Sequence, residues 1–191
     1  CHGTIPPMPT FPAPIDSRLP RVGTTIFSVM SRLAAQHGAI NLSQGFPDFS
    51  APPALFELVA KHMHAGANQY ALMAGATPLR EAIAEKVAAL YGLTYDVEQE
   101  ITVTAGATQA IFTAVAALVR PGDEVIVFEP VYDSYVPSIE LNGGRAVFAR
   151  LAFPEYRPDW DQVRALVTPR TRMIIINSPH NPSGAVWQAE D

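Results

Sequence analysis

These 191 residues contain one cysteine, two lysines and no apolar run near bilayer length. Each shortage removes a class of function. A lone cysteine cannot build an internal disulfide framework, and its scarcity suits the cytosol, so a cytoplasmic location is expected. That cysteine is Cys1, where an initiator methionine would stand, and it reads as a trimmed or foreign leading residue rather than a lipidated terminus. Positive charge is also scarce: 13 Lys and Arg against 18 Asp and Glu leave a formal charge of −5. Nucleic acid and anionic membranes attract basic faces, so neither is expected as a partner. No segment approaches the roughly 20 apolar residues that span a bilayer, and no signal peptide is visible. Metal-ligand spacing is missing too. His62 and His64 lie two apart on a predicted helix and point in different directions, so no metal is expected. There is no Gly-x-Ser-x-Gly elbow, no Walker loop and no Gly-x-Gly-x-x-Gly fingerprint, which sets aside the common hydrolase and nucleotide-binding readings.

What remains is a chain with 48% hydrophobic residues, enough for a sizeable core. Residues 1–20 hold six prolines (Pro6, Pro7, Pro9, Pro12, Pro14, Pro20) and read as an extended arm. Residues 24–37 repeat apolar positions at helical spacing and stop at Gly38. "INLSQGFPDFSAPP" reads as a short strand and a loop, residues 53–64 as a second helix, and "NQYALMAGAT" as a polar connection. Thr77 is then placed to cap a helix with Pro78 at its first position, and Leu79, Ile83, Val87 and Leu90 are expected as its buried stripe. From residue 100 strands and helices alternate: "EITVT", "EVIVF", "RAVFARL" and "RMIII" as strands, with helices between them. Strands apolar on both faces and separated by helices predict an α/β fold, a mostly parallel sheet with helices on both faces.

In such sheets ligands gather beyond the carboxyl ends of strands, and three of these ends are unusual. "TVTAGATQAIF" puts Gly106 between a strand and a helix start. There the amides of Ala107 and Thr108 and the Thr108 hydroxyl can receive an anion such as phosphate, although an ordinary threonine-capped turn has the same composition. "FEPVYDSY" places Tyr132 just past a strand, where an aromatic ring can stack on a flat ligand or simply pack half-buried. "NSPHNPSG" holds Asn177 and Asn181 between Pro179 and Pro182. The prolines restrict the backbone, and an asparagine amide can donate to a phenolate or carboxylate without bringing charge; a stiff structural turn is the competing reading. His180 in the same run is expected to pack or cap rather than catalyse.

Taken together, "NLSQGFPDF", "NQYALMAGATPLREAIA", "TVTAGATQAIFTAVAALVRPGDEVIVFEPVYDSY" and "NSPHNPSGAVW" resemble the class I aminotransferases of the fold-type-I pyridoxal-phosphate family, in order and spacing. The likeness runs from Leu19 onward and leans towards the methionine, glutamine and kynurenine branch. It implies pyridoxal 5'-phosphate as cofactor, an amino acid and a 2-oxo acid as substrates, and ping-pong transfer. It further implies that Gly106, Ala107 and Thr108 form the phosphate cup, that Tyr132 stacks on the pyridine ring, and that Asn181 donates to the phenolic oxygen with Asn177 beside it. Gly45 would sit near the substrate carboxylate. Tyr70 would reach the phosphate of the partner subunit's cofactor in a homodimer.

The resemblance also marks what these residues do not contain. The family's Schiff-base lysine has no counterpart, because Lys61 and Lys86 stand on predicted helices outside any matching motif and read as surface charge. The expected organisation is therefore an arm over 1–20, a helical segment with the substrate loop over 21–95, and the first part of the large cofactor domain over 96–191. The chain is expected to stop before the small carboxyl-terminal domain, with its missing half as a necessary partner, and to be inactive alone. A C–S lyase or another enzyme of the same fold, and a non-enzymatic regulatory domain on the same scaffold, are the competing functions.

Overall fold

The computed structural model describes residues 16–20, 22–43, 45, 47 and 49–191. Most of the proline-rich arm expected over 1–20, including Cys1, lies outside the described residues. The elements follow in the order α1 (Ile26–His37), α2 (Pro53–His64), α3 (Thr77–Tyr91), α4 (Ala107–Leu118), β1 (Glu124–Glu129), α5 (Tyr135–Leu141), β2 (Arg145–Arg150), α6 (Trp160–Leu166) and β3 (Thr171–Ile175). The chain divides into two compact units, one built mainly from Leu118–Asp191 and the other from Phe27–Ala117.

The first unit is the sheet. Its strands run in the order β2-β1-β3, and β1 is parallel to both neighbours. β1 takes the centre because Val125, Ile126, Val127 and Phe128 are apolar on both faces, and all four are buried. On one face Ile126 and Phe128 join Ala149, Leu151 and Val163 of α6, with Trp160 and Trp187 packed alongside. Phe128 meets Trp187 edge-on at 4.9 Å between ring centres. Val125 and Val127 point to the opposite face and are equally buried, so the strand is covered on both sides. β2 contacts both α5 and α6. α6 opens on Asp159, whose carboxylate accepts from the amides of Asp161 and Gln162 at 3.1 Å each.

At the amino end of the sheet one carboxylate gathers three segments. Glu124 is 1% exposed. It accepts from Arg145 at 2.7 Å, from Arg170 at 2.9 and 2.8 Å, and from the Thr168 hydroxyl at 2.7 Å. The Arg145 hydrogen bond, then those of Thr168 and Arg170, hold its pKa down at about 2. Beside it the backbone amide of Arg120 and the guanidinium of Arg172 keep the Asp123 carboxyl below its ordinary range.

The second unit carries helices and departs from the sequence-based expectation at four points. α3 begins one residue earlier than a Thr77 cap requires: Ala76 is the cap, Thr77 is already helical, and no side chain caps the end. The expected apolar stripe is not buried, since Leu79 is 48% and Leu90 60% exposed, with Ile83 and Val87 intermediate. The buried side chain of α3 is Arg80, which binds the Val97 carbonyl at 2.5 Å and Glu98 at 3.2 Å. Residues 101–104, expected as a strand, join no ladder among the described residues. Val103 donates its amide to the Ala74 carbonyl at 2.8 Å, and a strand needs a repeating partner rather than one such bond. Residues 40–42 likewise pair with no strand there. The helix boundaries of α1 and α2 match their apolar periodicity and their flanking Pro and Gly residues.

Candidate cofactor site

Parallel pairing of β1 with β3 sets their carboxyl ends side by side in the sheet unit. The loops that leave these ends carry Tyr132 on one side and Asn177 and Asn181 on the other. Tyr132 is half-buried and packs edge-on against Tyr135, with ring centres 5.6 Å apart. Asn177 is half-buried and Asn181 exposed. Among the described residues neither asparagine's side-chain amide meets a hydrogen-bond partner. The loop between them is closed locally: the Gly184 amide donates to the His180 carbonyl at 2.6 Å, and the His180 amide donates to the Ala185 carbonyl at 2.8 Å. Gly184 adopts φ +77, a conformation that suits glycine in this turn. The Trp187 amide donates to the Ser178 hydroxyl at 2.9 Å and fastens the far side.

His180 was expected to pack or cap, and it is 4% exposed. Its Nδ1 lies 2.7 Å from the Ser183 hydroxyl. Burial pushes its pKa below the ordinary imidazole value. The periodicity and turn composition of "NSPHNPSG" identify a stiff loop but carry no signal that its histidine is buried.

The other unit holds the remaining candidates. Gly106, at φ +83, turns the chain into α4, whose first residues are Ala107 and Thr108. All three are exposed, and the first turn of α4 contains no acidic side chain. The neighbouring polar groups are already spoken for: the Ala105 amide donates to Gln109 Oε1 at 2.5 Å, and the Thr104 hydroxyl donates to the Gly106 carbonyl at 3.1 Å. The amides of Ala107 and Thr108 precede the first intrahelical acceptor, so they remain as donors together with the Thr108 hydroxyl. Gly45 is exposed with open space around the position a Cβ would take. Tyr70 is fully exposed. Its loop is tied down nearby, because Gly75 at φ +104 sits so close to Val103 that a Cβ there would lie 2.6 Å from that side chain.

The donor sets fit a phosphorylated pyridine. One is a helix-start anion cup without competing carboxylates. The other, in the sheet unit, is a half-buried aromatic ring on the loop after β1 and two uncharged amides on the loop after β3 that meet no partner among the described residues. Among the described residues no cluster could hold a metal, and no helix is long and apolar enough to cross a membrane.

Comparison with known proteins points the same way. The family described as aminotransferase class I and II matches residues 37–191. A methionine aminotransferase of Escherichia coli is 57% identical over 176 residues, 92% of this chain and 46% of that protein. A probable N-succinyldiaminopimelate aminotransferase of Mycobacterium tuberculosis is 48% identical over 178 residues, 92% of this chain and 45% of its own. Among solved structures, an E. coli protein shown to have methionine aminotransferase function superposes with a TM-score of 0.90 at 56% identity, covering 94% of this chain and 47% of that one. The M. tuberculosis N-succinyldiaminopimelate aminotransferase gives 0.87 at 46% identity, covering 93% and 47%. The chain thus spans about half the length of the curated relatives it matches.

Proposed function

We propose, for a chain that belongs to the class I and II aminotransferase family and shares its fold-type-I architecture, that the whole protein moves an amino group from an amino acid to a 2-oxo acid. The family's cofactor is pyridoxal phosphate. Bound, it supplies the electron sink that lets an amino group and a proton leave one carbon skeleton and be returned to another. The donor amino acid departs as a 2-oxo acid before the acceptor 2-oxo acid takes up the amino group, which is ping-pong kinetics.

The chain's own residues bind and orient. Ala107 and Thr108, turned outward by Gly106, receive the phosphate through two amides and a hydroxyl at the positive end of α4. Tyr132 lies against the ring face and fixes its plane. Asn181 donates to the phenolic oxygen without adding charge, and Asn177 lines the same edge. Gly45 leaves room for the substrate carboxylate. Tyr70, projecting freely, reaches the phosphate of a cofactor held by a second copy in a homodimer. The segments 1–20, 21–95 and 96–191 serve as arm, substrate-side helical segment and first part of the cofactor domain.

The observation that carries this reading is the 57% identity to a methionine aminotransferase. Methionine is accordingly the donor to test first. The experiment is to load the whole protein with pyridoxal phosphate, supply methionine and a 2-oxo acid, and measure the 2-oxo acid derived from methionine. Formation that depends on the acceptor supports the proposal; 2-oxobutanoate, methanethiol and ammonia released without an acceptor would place the protein among the lyases. The 48% identity to a probable N-succinyldiaminopimelate aminotransferase supports a second donor class, acylated diamino acids. Comparing kcat/KM for the two donors decides between them.

A further inference from the structure

Three residues form the proposed phosphate cup, and the chain on either side of them is tied together across it. The Ala105 amide, just before Gly106, donates to Gln109 Oε1, just after Thr108, at 2.5 Å. That bond closes a short ring whose intervening residues are Gly106, Ala107 and Thr108. At its start the Gly106 amide donates to the Thr104 carbonyl at 2.8 Å, and the Thr104 hydroxyl donates to the Gly106 carbonyl at 3.1 Å. The Gly106 carbonyl and the Ala107 N–H belong to one planar trans peptide and point in opposite directions. Turning that carbonyl back towards Thr104 therefore turns the Ala107 N–H away, and Gly106 at φ +83 permits the reversal. The helix itself grips this carbonyl weakly, since the bond from the Ala110 amide is long at 3.5 Å. Gln109 stands at the third helical position of α4, where a Glu or Gln commonly reaches back to the cap residue. Here it reaches one residue further. A glutamate would accept the same bond and suit the positive helix end better, yet the first turn of α4 has no acidic side chain. An uncharged acceptor holds the turn and leaves that positive end to an incoming anion.

We propose that Gln109 is a positioning residue for the cofactor phosphate. Its side-chain oxygen pins Ala105, so that the Gly106 turn presents the Ala107 and Thr108 amides together, with Thr104 as a second clasp. Its lack of charge spares the phosphate a competing carboxylate. The role rests on the reading that Ala107 and Thr108 receive the phosphate of pyridoxal phosphate. A glutamine that merely stabilised the helix start would affect every ligand of the folded protein alike. One that shapes the cup affects a ligand through its phosphate.

The test uses the whole protein and compares the dissociation constants of pyridoxal phosphate and of pyridoxal, which lacks the phosphate. Their ratio, the preference for the phosphorylated form, reads the cup. Thr108→Val removes the cup hydroxyl and is the reference; it should lower the preference. Gln109→Leu keeps the bulk and loses the acceptor. The expected result is a preference lowered roughly three- to tenfold, with pyridoxal binding unchanged. Gln109→Glu keeps the acceptor and adds a charge. It should also lose preference, and regain it relative to the unsubstituted protein as ionic strength rises, because exposed charges are screened. The loss in Gln109→Leu should persist at high ionic strength. The proposal is overturned if Thr108→Val lowers the preference and Gln109→Leu does not, or if Gln109→Leu weakens both ligands equally. It is overturned as well if Gln109→Glu keeps the full preference at low ionic strength. If Thr108→Val itself leaves the preference unmoved, the cup reading beneath the proposal fails and takes the proposal with it. Should Gln109→Leu not fold, Thr104→Val removes the second clasp and must lower the preference in the same direction; an unchanged preference there overturns the proposal.

Discussion

Glu124 and Gly75 show what single residues contribute. The folded-state pKa of Glu124 is about 2, below its ordinary 4.5. A depressed carboxyl pKa means the unfolded chain takes up the proton first. The stabilisation is therefore complete above about 4.5 and is lost as pH falls through about 2. The urea midpoint of the whole protein should decline on acidification across that window, and Glu124→Gln should flatten this part of the decline while lowering the midpoint at neutral pH. An unaltered acid profile in Glu124→Gln would remove Glu124 as the cause. At Gly75 both geometry and space oppose a side chain, given φ +104 and 2.6 Å to Val103. Gly75→Ala should cost about 1–3 kcal/mol by chemical denaturation; a neutral effect would mean the 74–103 contact does not persist in solution. Neither role was legible in the sequence. "GDEVIVFEP" reads as a strand with acidic ends, and Glu124's cationic partners lie 21 and 46 residues away. By contrast Tyr132 and Asn181 stood out, because unusual residues right after an apolar run are a local signal.

Elements were legible to the degree that their signals are local. α2 runs from Pro53 to His64 as its periodicity and flanking residues indicate, and the strands of the sheet appear where apolar runs of suitable length lie. Residues 101–104 have the same alternation but no partner strand among the described residues, and β structure is settled by pairing rather than by composition. The stripe on α3 was misread for a related reason. Helical periodicity identifies an apolar face, while burial depends on what lies against it, and within this unit the inside position went to Arg80. α6 supplies a test at this scale. Its Asp159 cap engages two amides, so Asp159→Ala should cost about 1 kcal/mol in the denaturation of the whole protein. A change of less than a few tenths would show that another group caps the helix.

At the scale of the molecule, a three-stranded sheet leaves β2 and β3 each with one unpaired side among the described residues. Large apolar side chains such as Phe56, Leu58, Met63 and Ile176 are more than half exposed or close to it. Open strand edges and bare apolar faces drive association. The 191 residues expressed alone should therefore self-associate, measurable by light scattering, and should not transaminate, since Lys61 and Lys86 lie on α2 and α3 outside the segments proposed to hold the cofactor. Turnover by this chain alone at the rate of the whole protein would contradict that. The α/β class and parallel sheet were readable from the alternation of elements; the faces left open were not, because they are defined by what covers them.

The most direct measurement is a crystal structure of the whole protein grown with pyridoxal phosphate. The account predicts density for the phosphate at the amides of Ala107 and Thr108, the ring against Tyr132, and the phenolic oxygen within hydrogen-bond reach of the Asn181 amide. A cofactor seated away from these residues, or a ring edge facing a group other than Asn181, would contradict it.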